Sequence, residues 1–213
     1  MATDLAAFHT TVSGIVNRGT KFDSDIVNQT RIAARTLEQG YSFPYMRKLM
    51  FFQFYEGQRD ARLPARFKSI EFLRIPQAAA SAADLDEDHY LIGVDAEDVV
   101  TVPEAGLPNY YYAQEETDQI VLDRKPDQDY DAEVLMHRYT DWPTDTTDDP
   151  WLVTDGEAVL SAQTLLLLGP IVRNVDLVTM YKDQLQMSLT VLLNAEEERK
   201  QANTEHAMKM YVG

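Results

Sequence analysis

Apolar residues recur at steps of three and four positions near the start of the chain, the spacing of one helix face. This stripe, which ends before Gly19, consists of Leu5, Phe8, Val12 and Ile15. A second helix is predicted to begin with Asp23 or Ser24 as its N-cap and to end at Gly40, where a left-handed residue is expected. Its predicted apolar stripe consists of Ile26, Ala33 and Leu37. The first forty residues therefore predict a helical hairpin.

The pattern changes after residue 48, where aromatic and β-branched residues become more frequent. Five strands are predicted, over residues 49–55, 67–75, 109–115, 119–123 and 130–139. The basic segment GQRDARLPAR is predicted to be a loop between the first two strands. In the second strand, alternation places Phe67, Ser69 and Glu71 on one face and Ile70 and Phe72 on the other. The three consecutive tyrosines 110–112 should likewise alternate, with one or two rings buried and a hydroxyl outside.

Helical spacing returns in the last third of the chain. A buried helix is predicted from Leu152 to Leu168, ended by Gly169-Pro170. Asn174 is the predicted cap of the last and longest helix. The apolar stripe of that helix consists of Val178, Tyr181, Leu185, Leu189 and Leu192. From residue 201 onward the pattern is weak, which predicts a mobile tail.

These elements predict an α+β fold. Residues 1–48 form the N-terminal hairpin and residues 49–143 a β-rich acidic domain with a small antiparallel sheet or sandwich. Residues 151–200 complete a helical bundle with the hairpin, and residues 201–213 form the tail. At 213 residues with 45% apolar content, the chain is long enough to bury a core.

Charge is distributed unevenly around this plan. The net charge is -16, and the segment 75–170 holds 22 acidic and only 3 basic residues. A surface of that sign repels the phosphate backbone, so sequence-specific nucleic-acid binding is not expected. The same surface could line a passage through which DNA slides without adhering.

Composition excludes several classes of protein and of chemistry. The chain has no cysteine, which excludes disulfides and thiolate chemistry. No apolar run approaches the roughly 20 residues of a membrane span, and the N-terminus lacks the pattern of a secretion signal. We therefore expect synthesis in the cytoplasm and no contact with a membrane.

Catalytic patterns are weak. The histidines, His9, His89, His137 and His206, lie on different predicted elements, and none has a ligand partner at helical spacing. Acid pairs such as Asp127 with Asp129 and Asp148 with Asp149 arise easily in so acidic a segment, and DQDYDAE lacks the glycine of a calcium loop. No catalytic residue, cofactor or metal site is predicted.

A basic cluster stands out within the acidic protein: Arg59, Arg62, Arg66 and Lys68. It is either a solvated surface or a patch that meets the acidic middle of a neighbouring copy. Tyr110 and Tyr112 are predicted to pack in the sheet or at the same contact between subunits. A head-to-tail contact of this kind closes into a ring when its rotation permits.

The order of the segments resembles the head-to-tail adaptor, or connector, proteins of tailed bacteriophages. The resemblance covers most of the chain and rests on RGTKFDSDIVNQTRIAARTLEQGYSFPYM, RLPARFKSIEFLRI, GLPNYYY, IVLDRKPDQDYDAEVLMHRYTDWP and DPWLVTDGEAVLSAQTLLL. These motifs are scaffold residues of moderate specificity.

The resemblance implies a structural virion protein at the head–tail junction. It implies a homo-oligomeric ring of twelve copies below the portal protein, which extends the DNA channel and receives tail nozzle or other tail proteins. DNA would pass through the ring without specific binding. The tail 201–213 would dock on the portal, with Met208, Met210 and Tyr211 as apolar anchors, and the family offers no catalytic residues to transfer.

Two alternatives from other classes stay open. A glycan or peptidoglycan hydrolase would need one specific pair of the many carboxylates. An acidic DNA mimic would bind a basic protein in a salt-sensitive way.

Overall fold

The chain divides into two compact units, which are described separately. The computed structural model describes residues 4–17, 19–63, 66–76, 89–98, 101–114, 117–143 and 150–211, with side chains up to residue 195. One unit combines residues 1–41 with residues 141–213, and the other is the continuous segment 42–140. The chain thus contains both helices and a sheet, which confirms the predicted mixture of α and β structure. The predicted helical bundle stays a prediction.

The first unit begins with two helices. They are α1 (Leu5–Val16) and α2 (Asp23–Gly40), joined through a 3₁₀ turn at Gly19–Phe22. The Asp4 carboxylate caps α1 by accepting the backbone N–H of Ala7 at 2.7 Å. Val16 is buried at the end of this stripe, and the predicted Ile15 is 40% exposed. That prediction was wrong because the four-residue step from Val12 keeps Val16 on the buried face.

The boundaries of α2 also differ from the prediction. Phe22 occupies the N-cap position without a side-chain hydrogen bond, and Asp23 is already the first helical residue. The 3₁₀ turn leads directly into the helix, which explains why neither Asp23 nor Ser24 is the cap. Gly40 is the last residue of α2 and is not left-handed. The left-handed position lies instead at Asn17, which ends α1 with a φ of 50°.

The described residues after position 149 form three more helices of the first unit: α3 (Trp151–Thr154), α4 (Glu157–Ile171) and α5 (Val175–Tyr211). The single helix predicted from Leu152 to Leu168 is thus divided at Asp155 and Gly156. Pro170 lies in the last turn of α4 and does not end it. Where a mobile tail was predicted from residue 201, α5 continues as a helix to Tyr211.

The α4–α5 turn is tight. Asn174 caps α5 as predicted, because its Oδ1 accepts the N–H groups of Asp176 and Leu177 at 3.1 and 3.3 Å. Arg173 before it is left-handed, with a φ of 54°. A Cβ added at Gly169 would lie 2.5 Å from Cγ2 of Val178. Gly169 therefore allows α4 to approach the first turn of α5 closely.

We predict that Gly169→Ala destabilises the helical unit by about 1–3 kcal/mol, since the added methyl group must displace Val178. The free energy of unfolding in urea, followed by far-ultraviolet circular dichroism, measures the loss. Gly14→Ala is the matched control, because a Cβ on Gly14 in α1 meets no atom within 4 Å. A Gly169→Ala variant as stable as the Gly14→Ala variant would contradict the packing described above.

The described residues of the second unit form a seven-stranded sheet. Its strands are β1 (Arg47–Phe54), β2 (Asp60–Arg62), β3 (Phe67–Ile75), β4 (His89–Gly93), β5 (Tyr110–Gln114), β6 (Gln119–Leu122) and β7 (Tyr130–Arg138). Their order is β1-β7-β3-β4-β5-β6-β2, and the edge strands β1 and β2 approach each other so that the sheet is nearly closed. All pairs are antiparallel except β4 with β5.

The sheet is thus larger than predicted and not wholly antiparallel. The five predicted strands correspond to β1, β3, β5, β6 and β7, but β2 and β4 were missed. Only three residues form β2, inside the predicted basic loop. Five residues form β4, directly after the acidic sequence DLDED at residues 84–88. A strand of only three residues such as β2 is too short for periodicity to identify.

The interior of the nearly closed sheet is the core of this unit. Its largest fully buried side chains are Phe54, Leu73, Ile75, Ile120, Leu122 and Met136. The tyrosine triplet alternates as predicted. Tyr111 is buried, Tyr112 is half-buried and Tyr110 is 43% exposed on the outside.

Candidate functional site

A polar cluster lies on the outer face of the sheet where β1, β7 and β3 run side by side. Arg47 on β1 is opposite His137 on β7, and His137 is opposite Ser69 on β3. Nδ1 of His137 is 3.4 Å from Oγ of Ser69, and its Nε2 is 3.2 Å from Oε1 of Glu71. Oε2 of Glu71 accepts from Nε of Arg47 at 2.8 Å. One imidazole thus connects a hydroxyl with an ion-paired carboxylate.

Two β-bulges in β3 create this arrangement. Phe67 pairs with Arg138, but Ser69 pairs with His137, so Lys68 is an extra residue in β3. Such an insertion reverses the inside–outside alternation. Ser69 consequently lies outside beside His137, although the regular pattern would place it with the buried Phe67.

The second bulge restores the alternation. Ile70 pairs with Met136 and Phe72 with Leu135, which makes Glu71 the extra residue. After it, Leu73 lies inside and Phe72 outside. The predicted faces of this strand, with Phe67, Ser69 and Glu71 together, were therefore wrong.

An apolar row adjoins the polar cluster on the same outer face. Leu49, Leu135 and Phe72 pair in register across β1, β7 and β3. The ring of Phe72 meets that of Tyr90 on β4 edge to face, with centroids 5.9 Å apart. Further outward-facing apolar side chains are Phe51 on β1, Ile92 on β4 and Tyr110 on β5.

These outer side chains are unusually exposed for their size. The exposed fraction is 69% for Phe51, 56% for Ile92, 53% for Tyr90 and 49% for Leu49. Scattered exposed apolar residues are normal, but several on one face indicate a binding surface.

The charges between these apolar residues are paired within the chain. Nε of Arg74 donates to Oε2 of Glu133 at 2.7 Å, and the Arg74 guanidinium lies 5.8 Å from the centre of the Phe72 ring. Arg47 pairs with Glu71 as described above. Compensated charge lowers the cost of desolvating this face against a partner.

The residues of the basic cluster predicted from the sequence make separate contacts with different partners. Arg59 points into its own chain, where Nη2 donates to the carbonyl oxygens of Asp123 at 2.9 Å and Val102 at 3.2 Å. Nη1 of Arg66 donates to the carbonyl of Thr140 at 3.4 Å. Arg59 thus supports the fold, whatever else it does.

The other two members of the cluster lie apart. Arg62 is exposed on β2. Nζ of Lys68 lies 5.9 Å from the ring centre of Tyr139. Of the tyrosines predicted with this cluster, Tyr110 faces outward and Tyr112 is half-buried.

Asp123 is the most deeply buried acid of the sheet unit among the described residues, with 1% of its surface exposed. Its Oδ1 accepts the backbone N–H groups of Asn109 at 3.0 Å and Tyr110 at 3.3 Å, and its Oδ2 accepts from Nε of Arg124 at 3.1 Å. These bonds fix the start of β5, so the carboxylate is structural.

Other predicted residues have local roles or lie outside the described part. The Asp127 carboxylate accepts the Tyr130 hydroxyl at 2.6 Å, and that of Asp129 accepts the N–H of Glu56 at 2.8 Å. Asp148 and Asp149 lie outside the described residues. The side chains of Met208, Met210 and Tyr211 also lie outside them, and only their helical backbone is described.

The helical unit contains a groove between α1 and α2. Its volume is about 620 Å³, and its walls include Ala6, His9, Gly14 and Ile26. Nε2 of His9 is buried and has no hydrogen-bond partner within the described ranges. Burial lowers the pKa of His9.

Among the described residues, no group of three or more histidines and acids is placed to hold a metal ion. None of the helices in those ranges is long and apolar enough to cross a bilayer.

Comparison with known proteins gives no family model that matches the chain and no similar curated protein.

We predict that Tyr130 loses its phenolic proton unusually late. Burial, together with the Asp127 carboxylate, raises the pKa of Tyr130 to about 12. Between about pH 10, the ordinary value, and pH 12 the folded chain keeps a proton that the unfolded chain loses. The stabilisation is therefore complete below about pH 10 and is lost as the pH rises towards about 12.

An alkaline titration followed by ultraviolet absorbance measures the ionisation of Tyr130. Its transition is the difference between the titration curves of the wild type and of Tyr130→Phe. Asp127→Asn should move the titration of Tyr130 to lower pH, because the variant removes the negative charge beside the phenol. A Tyr130 transition near pH 10 in the wild type would show that the Tyr130–Asp127 contact does not hold the proton.

Proposed function

We propose that this protein is a structural head-to-tail adaptor of a tailed bacteriophage. Copies of the chain would form a ring below the portal protein, extend the DNA channel and receive nozzle or other tail proteins. The helices of residues 1–41 and 150–211 would form a bundle. The observation that carries this proposal is the exposed apolar surface on the outer face of the sheet, since clustered exposed apolar side chains mark interaction sites.

The long last helix supports a docking role. At 1.5 Å per residue, the 37 residues of α5 span about 55 Å and the 15 residues of α4 only about 22 Å. Within residues 175–195, the buried side chains of α5 are Leu177, Tyr181 and Leu189. The helix α5 is therefore more than twice as long as α4, and a helix of that length would serve to reach the portal.

The charge distribution supports a DNA channel. Most of the excess negative charge lies in residues 75–170. DNA is repelled by such a surface and would slide past it without specific binding.

The native mass of the chain, alone and mixed with the portal ring of the same virus, tests this function. We predict that the portal gains a discrete complement of about twelve copies, because a closed ring has a fixed number of subunits. A chain that leaves the mass of the portal ring unchanged would contradict the adaptor function.

Variants of the C-terminal segment refine the same test. Replacing Met208 and Met210 by serine should lower the portal occupancy, since both are the proposed apolar anchors. His206→Ser in the same segment serves as the matched control. The melting temperature of each variant shows whether the fold survives.

A second candidate function follows from the polar cluster. Ser69, His137 and Glu71 have the residue types of an acyl-transfer triad, and Ser69 also borders a cavity of about 530 Å³. In such a reaction Oγ of Ser69 would give its proton to His137 and attack an ester carbonyl. The alcohol would leave with that proton, and water would release the acid.

Two features favour the adaptor over this hydrolase. The 3.4 Å contact between Ser69 and His137 is long for a hydrogen bond, and Glu71 is already paired with Arg47. Both carboxylate oxygens of Glu71 are thus engaged, and Arg47 competes with His137 for its charge.

A fluorophosphonate probe separates the two functions. The adaptor function predicts no covalent labelling of Ser69 by intact mass and peptide mapping. Labelling that disappears in Ser69→Ala and persists in Ser42→Ala, where the replaced serine is exposed in the same unit, would establish the hydrolase instead.

A further inference from the structure

We propose that the subunits contact each other head to tail through two different patches on the outer face of the sheet. The β1 patch consists of Leu49 and Phe51, and the β4 patch consists of Tyr90, Ile92 and Tyr110. The β1 patch of one copy binds the β4 patch of the next copy. This inference rests on the proposed function and names the surfaces that build its ring.

The sheet directs the two patches to different sides. In the order of the strands, β7 and β3 lie between β1 and β4. Three steps around a nearly closed sheet of seven strands correspond to roughly 150°, taking a full circle divided by seven for each step. Two neighbouring molecules would cover the two patches without either of them wrapping around the sheet.

Two non-identical patches on each copy define a heterologous contact. Each added copy presents a free β4 patch or a free β1 patch to the next one. Such a contact closes into a ring when the rotation per copy divides a full turn. The arrangement of the patches therefore matches the assembly that an adaptor needs.

Charge favours apolar contacts between the copies. Each copy carries a net charge of -16 and repels the next. All five residues of the two patches are uncharged, and the nearby Arg47–Glu71 and Arg74–Glu133 pairs are compensated within the chain. Contact through these patches therefore brings little additional like charge together.

The exposed area is substantial for one contact. At about 200 Å² per large side chain, the five exposed fractions sum to about 500 Å² of surface. A standard interface buries about 1,600 Å² in total, so the patches would supply its apolar centre and the polar rim the rest. Tyr90 and Phe51 are aromatic anchors of the kind that concentrate binding energy.

Cysteine cross-linking tests the contact, because the natural chain has no cysteine. On the portal ring, the double variant Phe51→Cys/Ile92→Cys treated with a short bismaleimide should give a ladder of covalent multimers. Each single variant alone should give none, and a mixture of the two should stop at dimers. Tyr55→Cys/Ile92→Cys is the matched control, because Tyr55 is 52% exposed and lies outside both patches.

Dimers of the single variant Phe51→Cys would indicate a two-fold contact and overturn the head-to-tail arrangement. A full ring on the portal without the ladder would overturn this inference and leave the adaptor function intact. No ring at all would overturn both.

Serine substitutions give a second, independent measurement. Phe51→Ser and Ile92→Ser should keep the melting temperature, since both side chains are largely exposed, and should weaken ring assembly about tenfold or more. Tyr55→Ser should assemble as the wild type does. Wild-type assembly of Phe51→Ser would contradict the proposed contact.

Discussion

The pairing of β3 with β7 determines which side chains of the sheet lie inside and which lie outside. Each of its two bulges reverses the alternation once, so Phe67 and Leu73 both reach the core although the segment between them changes sides. Ser69 thereby reaches the outer face beside His137 and Ile70 turns inward, whereas Phe72 would lie outside with or without the bulges. A sheet without these bulges would place different residues on its outer face.

The charged residues fall into two groups with different roles. Asp123 and Arg59 bond to backbone groups and hold the start of β5 and the adjoining loop. Arg47 and Arg74 pair with acids on the outer face and leave the apolar residues there uncovered. Internal pairing of this kind lets a strongly acidic chain keep a surface of low net charge, which is the property that an assembling subunit needs.

The sequence predicted the elements better than their faces. Periodicity located α1, α2, the Asn174 cap and five of the strands, because each depends on local spacing or on one side chain. The faces of β3 were wrong, since a bulge depends on a strand about sixty residues away. The cluster of Ser69 and His137 was missed for the same reason. In α1, the last buried residue of the stripe is Val16 and not the predicted Ile15, because the last step is four residues long.

In the proposed ring, the outer face of the sheet is buried between copies. Hydroxyl-radical footprinting measures side-chain exposure directly, in the free chain and in the chain bound to the proposed portal partner. We predict that modification of Phe51, Tyr90 and Ile92 falls strongly on assembly while that of Tyr55 is unchanged. Equal modification of Phe51 and Tyr90 in the free chain and in a fully occupied ring would contradict it.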